Sequence, residues 1–253
     1  MNAPPTLRRP LSLVAVLWPL VLAACGRVPG QFEILNDQVP VAGAGGGCTV
    51  SVSPTLYQGK GRLDLSIPSV ADSAYLFFPL IENNLPSAKN GAQDPNQIQL
   101  SGFNIDITPL SGTSMETDDV LAKNAFLANF QTAWSGGVQS GGGQIAAIVD
   151  AFPVALAEKL FNEGNVNSDP SATLNLRVQA IGTTTFGTEM QSDPFNFPLE
   201  ICIGCLVATV QPCPFTSAPA NPGNACNPAQ DALVDCCTEN GVLICPPTVA
   251  ASQ

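Results

Sequence analysis

Along most of the chain, apolar and polar residues take turns. Val50 and Val52 alternate with Thr49, Ser51 and Ser53, and after a Gly59-Lys60-Gly61 turn Leu63, Leu65 and Ile67 alternate with Arg62, Asp64 and Ser66. A period of two predicts strands with one buried and one wet face. An apolar run at Ala74–Ile81, ended by Asn83-Asn84 and Pro86, predicts another strand. In Gln97–Thr108 the phase slips between Ile98/Leu100 and Phe103/Ile105/Ile107, so Ser101-Gly102 is the expected place for a bulge. The clearest alternation sets Leu174, Leu176, Val178 and Ala180 against Thr173, Asn175, Arg177 and Gln179. A final strand carries Phe195, Phe197, Leu199, Ile201 and Ile203 on one face, with Pro194 and Pro198 pointing to an edge or bulged position. Gln31–Leu35 reads as a short edge strand.

Residues 112–164 change period. Asp118 and Asp119 precede Phe126, Phe130 and Trp134, which recur every four residues and read as one packing stripe of a helix. A glycine-rich break at 135–143 reads as an inter-helix loop, and a second helical stretch starts at Gln144, is interrupted by Pro153 and ends near Gly164. The expected fold is therefore mainly β: an antiparallel β-sandwich, roughly Ig-like, with a helical insertion at about 112–164 and a small disulfide-rich C-terminal segment.

The first residues carry a different signal. Arg8 and Arg9 precede a twelve-residue apolar stretch, Leu11–Leu22, which is followed by Ala23, Ala24, Cys25 and Gly26. Charge, length and small residues match a secretory signal, and the stretch falls short of the roughly 20 residues of a spanning helix. Leu22-Ala23-Ala24-Cys25 resembles the lipobox of bacterial lipoproteins. That resemblance implies cleavage before Cys25, a thioether-linked diacylglycerol on its sulfur and acylation of the new amino terminus. Gly26, where an Asp would mark inner-membrane retention in that family, favours the outer membrane. The expected organisation is a lipoprotein signal peptide at 1–24, a lipidated N-terminus and Gly/Ala/Pro tether at 25–47, a sandwich at 48–203, and a Cys-rich tail at 204–253. Fully flexible, residues 26–47 would reach roughly 25 Å, and a docked first strand would shorten that.

Composition narrows the chemistry. Removing residues 1–24 takes away two of nine basic residues and none of twenty acidic ones, leaving 7 − 20 = −13. A chain so acidic cannot neutralise a row of phosphates, so no nucleic-acid partner is expected. The sequence contains no histidine. That excludes Ser-His-Asp and Cys-His nucleophiles and His-ligated zinc together. Ser-x-x-Lys, Gly-x-Ser-x-Gly, Walker, dinucleotide and calcium-loop motifs are also missing. No cofactor or metal is expected.

Apart from Cys25, the cysteines are Cys48, Cys202, Cys205, Cys213, Cys226, Cys236, Cys237 and Cys245. The last seven fall in a stretch rich in Pro and Asn and poor in large apolar side chains, which needs covalent constraint to hold its shape. All eight are disulfide candidates, and 105 pairings are possible. Adjacent Cys236 and Cys237 should reach different partners, and isolated Cys48 should tie the first core strand to the tail or the last strand. Asn227-Pro228 reads as the cap of a short helix ending at the paired cysteines. Cys202-Ile203-Gly204-Cys205 could be a redox pair or half a zinc knuckle, but Leu206–Val210 is strand-like and no second spaced pair exists, so a structural disulfide is favoured. As a whole the chain resembles uncharacterised exported bacterial lipoproteins with a Cys-rich C-terminal segment, a resemblance that brings no activity with it.

These readings point to a membrane-anchored, non-catalytic binding or structural module of the cell envelope. It would be held by the lipid on Cys25, with an envelope or extracellular protein or glycan as its partner. The alternatives are a carboxylate-dependent enzyme acting on glycans, with Asp64, Asp72, Asp106 or Asp118/Asp119 as candidates, and a redox or metal role for the C-terminal cysteines.

Overall fold

The computed structural model describes residues 30–43, 48–67, 73–88, 93–110, 115–163, 172–215 and 221–246. The signal segment, Cys25, Asp72 and the end of the expected tether lie outside them. In chain order, β1 (Phe32–Gln38), β2 (Val41–Ala42), β3 (Cys48–Thr49), β4 (Tyr57–Gln58), β5 (Gly61–Asp64), β6 (Ser73–Phe77) and β7 (Pro79–Asn83) lead into the long β8 (Ile98–Pro109). Helices α1 (Met115–Lys123) and α2 (Ala125–Ala128) precede β9 (Asn129–Val138), β10 (Gly143–Ala146), β11 (Val149–Pro153) and α3 (Val154–Glu163). The remaining elements are β12 (Ala172–Thr184), β13 (Glu189–Gln191), β14 (Phe195–Cys202), β15 (Val207–Pro212), β16 (Val234–Glu239) and β17 (Val242–Ile244). Among the described residues, no helix is long and apolar enough to cross a membrane.

The fold is mainly β and its sheets are largely antiparallel, as the alternation predicts. One layer is the sheet β5-β14-β12-β8-β9, with β13 also paired to β12. The other layer is made of β10-β7-β1-β4 and the pair β11-β6. Two pairings are parallel, β14 with β5 and β15 with β16. Leu100, Phe103, Ile105, Leu174, Leu176 and Val178 are buried on the inner face of the large sheet. Aromatic rings close the gap between the layers: Phe77 of β6 meets Phe195 and Phe197 of β14 at centroid distances of 5.7 and 5.4 Å.

The bulge falls where the phase slip placed it. The β8–β12 register shifts between Ile181 and Gly182, and the β8–β9 register between Leu100 and Gly102. Gly102 is required there because a Cβ would collide with the Thr132 carbonyl oxygen. Gly61 is a second position fixed by close approach: a Cβ would overlap the Tyr75 hydroxyl and lie 2.8 Å from the Phe197 ring. Both rings are fully buried and have nowhere to move. Gly61→Ala is expected to lower the unfolding free energy by about 1–3 kcal/mol or more, measured as a lower denaturant midpoint with an unchanged slope.

Several expectations are corrected. The 112–164 segment is a helical insertion only in part, because Asn129–Val138 is a strand and two further strands precede α3. A spacing of four places residues on one face of a helix and of a strand alike. Phe130 and Trp134 take the strand solution, with Trp134 6.3 Å from Phe103, whereas Phe126 is 73% exposed on α2. Pro153 does not interrupt a helix; it stands immediately before α3, where its missing N–H costs no helical hydrogen bond. Of the expected inter-helix loop at 135–143, residues 135–138 end β9 and Gly143 opens β10, so the loop is 139–142 and joins two strands. The Ala74–Ile81 run is two strands in two sheets, divided at Phe78. Around Cys48 only Cys48–Thr49 pairs, and Val52 is exposed. The strand foreseen at Gln31–Leu35 is the first part of β1; there it pairs with β7 alone, and β4 covers only Asp37 and Gln38 further along. The edge position foreseen for Pro198 holds for half of β14 only, since β5 covers Leu199–Cys202 and leaves the Pro198 half uncovered.

Candidate functional site

The Cys-rich segment is wedged into the sandwich. The expected helix after Asn227-Pro228 does not form, because the side chains that would cap and face it are used on the core. Asn227 donates to the Ala74 carbonyl at 2.8 Å, while its own Oδ1 accepts from the Ala229 N–H. The buried Gln230 amide donates to the Leu76 carbonyl at 3.0 Å and accepts from the Leu76 N–H at 2.8 Å. A side-chain amide thus pairs with β6 as the backbone of a neighbouring strand would. On the other side, Asp64 N–H donates to Ala229 O and Asp231 N–H to Arg62 O. Residues 227–231 therefore fill the gap between β5 and β6. The Cys48–Cys226 disulfide fastens the beginning of this wedge to β3. Cys236–Cys245, Cys213–Cys237 and Cys202–Cys205 complete the bridges. Cys236 and Cys237 do reach different partners.

Asp64 shows why its strand phase misleads. Alternation places it on the wet face, yet it is fully buried, because the Cys202–Leu206 loop folds over it. One carboxylate oxygen accepts from Ser66 N–H, Ser66 Oγ and Gly204 N–H, and the other from Leu206 N–H. A carboxylate oxygen of Asp64 and the Sγ atoms of Cys202 and Cys205 lie within 4.8 Å of one another, a spacing a metal would use. Both sulfurs are spent in a disulfide and both oxygens are occupied, so the trio secures the loop and does not fit a metal.

The other sequence candidates are dispersed. Asp118 and Asp119 are exposed on α1, where Asp119 pairs with Lys123. Asp106 on β8 faces Arg177 at 3.9 Å and accepts from Asn129. Asp72 lies outside the described residues.

Three ionisable groups that the sequence did not single out are coupled beside the wedge: Asp37, Asp231 and Tyr75. Asp37 is fully buried because the irregularity between Ile34 and Asn36 resets the phase of β1. Burial pushes its carboxyl well above the ordinary range, against the Phe78 N–H bond that favours the charged form, and the charge of Asp231 adds to the rise. Asp231, at positive φ, receives the Arg62 N–H at 2.9 Å and hydrogen bonds from Tyr75, Gln230 and Gln58. Burial nevertheless raises it from 3.8 to about 6. The buried Tyr75 hydroxyl is pushed well above the phenol range by burial, then by Asp231 and Asp37. A carboxyl raised on folding stabilises the fold while protonated. For Asp231 that contribution is complete below 3.8 and is lost as pH climbs through about 6. A groove of about 680 Å³ opens beside the cluster, lined by Val39, Pro40, Gln58, Pro222, Asn224 and Asp231 among others. A polar Asn-Asp-Gln triplet inside an otherwise alternating strand was the only sequence signal for Asp37. Asp231 had none, because its segment reads as a helix.

Fold and site together define a class, a disulfide-stapled antiparallel sandwich whose C-terminal segment completes its core. No known family, curated protein or solved structure matches the chain.

Proposed function

We propose that this protein is an exported, lipid-anchored envelope component that acts by binding or scaffolding and not by catalysis. What supports the reading is cysteine arithmetic. Four disulfides use eight of the nine cysteines, and the ninth is Cys25, the residue that ends Leu-Ala-Ala-Cys. In an oxidising compartment an odd cysteine needs another fate, and thioether lipidation supplies one. Two or three acyl chains hold a protein at a bilayer far more firmly than a single chain does. Since Asn84 already holds the Gly30 and Gln31 carbonyls by hydrogen bonds, the free span runs from Cys25 to Gly30, five residues and at most about 17 Å when extended. The folded body would then sit close to the bilayer, well short of the reach that a tether extending to residue 47 would allow. The buried carboxylates Asp64 and Asp235 are engaged in holding loops together, which fits a binding or structural role.

Replacing the anchoring residue tests the reading. Cys25→Ser is expected to move the protein from the detergent-requiring membrane fraction to the soluble exported fraction while leaving the four bridges intact. Retention of the variant in the membrane with the wild-type distribution would overturn the lipid-anchor reading.

A further inference from the structure

We propose that Asp37 stays protonated in the folded protein and donates to Gln58, completing a hydrogen-bonded chain from β1 through β4 to Asp231 of the C-terminal wedge. The chain is a pH-sensitive latch, closed while Asp37 holds its proton and opened when the proton is lost to solvent. The inference is independent of the membrane anchor.

Asp37 of β1 and Gln58 of β4 are directly opposed in an antiparallel pair, so their side chains share a face, with Cβ atoms about 5 Å apart. Four buried polar atoms in this region have no hydrogen-bond partner among the described residues: Asn36 Oδ1, Asp37 Oδ2, Gln38 Nε2 and Gln58 Oε1. Beyond the β1 irregularity neighbouring side chains alternate, which sorts the four into two sets. Asn36 and Gln38 share one face and present an acceptor and a donor, a complementary pair. Asp37 Oδ2 and Gln58 Oε1 share the other, and with Asp37 ionised they are two buried acceptors with no donor. Turning the Gln58 amide over does not cure this, because its nitrogen donates to Asp231 and the swap would point an oxygen at that carboxylate. A proton on Asp37 Oδ2 supplies the missing donor and satisfies both atoms at once.

The donors each carboxyl receives decide which one is neutral. Asp231 accepts from the Arg62 N–H at 2.9 Å, the Gln230 amide at 3.1 Å, the Tyr75 hydroxyl at 3.2 Å and Gln58, so it is built to carry the charge. Asp37 receives the Phe78 N–H at 2.7 Å and the Gln38 N–H, and its Oδ2 faces an acceptor. The ionisable groups around Asp37 are Asp231 of the wedge and Tyr75 of β6, both acidic. β7 sets Pro79 opposite it, and β4 adds only the exposed Tyr57 beside Gln58. No cation offsets a second charge: among the described residues Lys60, Arg62, Lys123, Lys159 and Arg177 pair with Glu200, Asp119, Glu163 and Asp106. Two neighbouring buried carboxyls without a cation cannot both ionise cheaply, and the one with fewer donors keeps its proton. The burial that pushes Asp37 upward acts in the same direction. Because its proton is bound on folding, its contribution to stability is present at low pH and lost as pH rises through its folded value. The two acceptors then repel, and β4 is held to β1 only at Asp37↔Gln58 and Gln38↔Tyr57. Gln58 and Asp231 line the groove, so the proton has a route to solvent.

Infrared spectroscopy of the purified oxidised protein at neutral pH reads the proton directly. The expected spectrum contains the carbonyl band of a neutral carboxylic acid, and Asp37→Asn removes it. A wild-type spectrum without that band, or a band untouched by Asp37→Asn, would overturn the proposal. Denaturation of the same two proteins tests the latch. Asparagine accepts from Phe78 and donates to Gln58 as the protonated acid does, so the Asp37→Asn midpoint at neutral pH should be no lower than the wild-type one. Above neutral pH the wild-type midpoint should fall more steeply than that of the variant. A lower neutral-pH midpoint in Asp37→Asn would mean that the fold uses the ionised carboxylate, and equal slopes would mean that no latch opens. If Asp37→Asn fails to fold, Gln58→Met, which removes the acceptor, is expected to move the wild-type band to higher frequency. A band that stays in place would rule out the Asp37–Gln58 hydrogen bond.

Discussion

A protein carrying Cys48→Ser and Cys226→Ser is expected to lose about 5 kcal/mol of unfolding free energy, because this bridge closes the longest loop in the molecule. The two cysteines are 178 residues apart, against 24 for Cys213–Cys237, 9 for Cys236–Cys245 and 3 for Cys202–Cys205. In the chain-entropy relation those separations correspond to about 5, 3.5, 2.5 and 1.5 kcal/mol. The order of the four losses is therefore the sharper expectation. A typical domain has only about 5–15 kcal/mol in total, so this one bridge represents a large share of it. Its position adds to the effect, because residues 227–231 begin directly after it and supply hydrogen bonds to both β5 and β6. Chemical denaturation of the paired serine variants, each with its remaining three bridges intact, measures the series. A loss below about 1 kcal/mol for the Cys48/Cys226 pair would show that the wedge holds its place without its staple.

The second large effect comes from Gln230. Gln230→Leu keeps an apolar side chain of comparable bulk but leaves the N–H and C=O of Leu76 buried and unpaired. Each orphaned group costs about 1–3 kcal/mol, so a loss of about 2–6 kcal/mol is expected. Hydrogen exchange gives a local readout. The Leu76 amide should lose protection relative to its neighbours in β6, whereas Leu174–Ala180 amides in β12 should fall only by the global loss of stability. Equal loss of protection everywhere would mean that the Gln230 contact is not a local clasp on β6.

How far the residues announced this structure depended on whether their pattern was unambiguous. The alternation from Thr173 to Ala180 admits one period, and β12 follows it residue by residue. The slip between Leu100 and Phe103 admitted one remedy, the bulge at Ser101-Gly102. Phe126, Phe130 and Trp134 admitted two, since a spacing of four suits a helix and a strand, and only the partner strand β8 decides between them. Asp64 read as an outward residue because alternation knows nothing of a loop arriving from Cys202–Leu206. Asp37 and Asp231 were illegible as a pair, because their proximity exists only after the C-terminal wedge docks against β1 and β4. The cysteines were legible as disulfide formers from composition and compartment, but their partners were not. Two points did follow from the sequence: the separate destinations of Cys236 and Cys237, and the tie of isolated Cys48 to the tail, made at Cys226.

The proposed function divides the cysteines into eight paired with each other and one, Cys25, carrying the anchor. An intact mass of the protein extracted from its native membrane, taken before and after reduction and alkylation, tests that division directly. The predicted result is a chain beginning at Cys25 with added acyl mass, no alkylation before reduction, and eight alkylated cysteines afterwards. An unacylated chain, or thiols that alkylate before reduction, would contradict it.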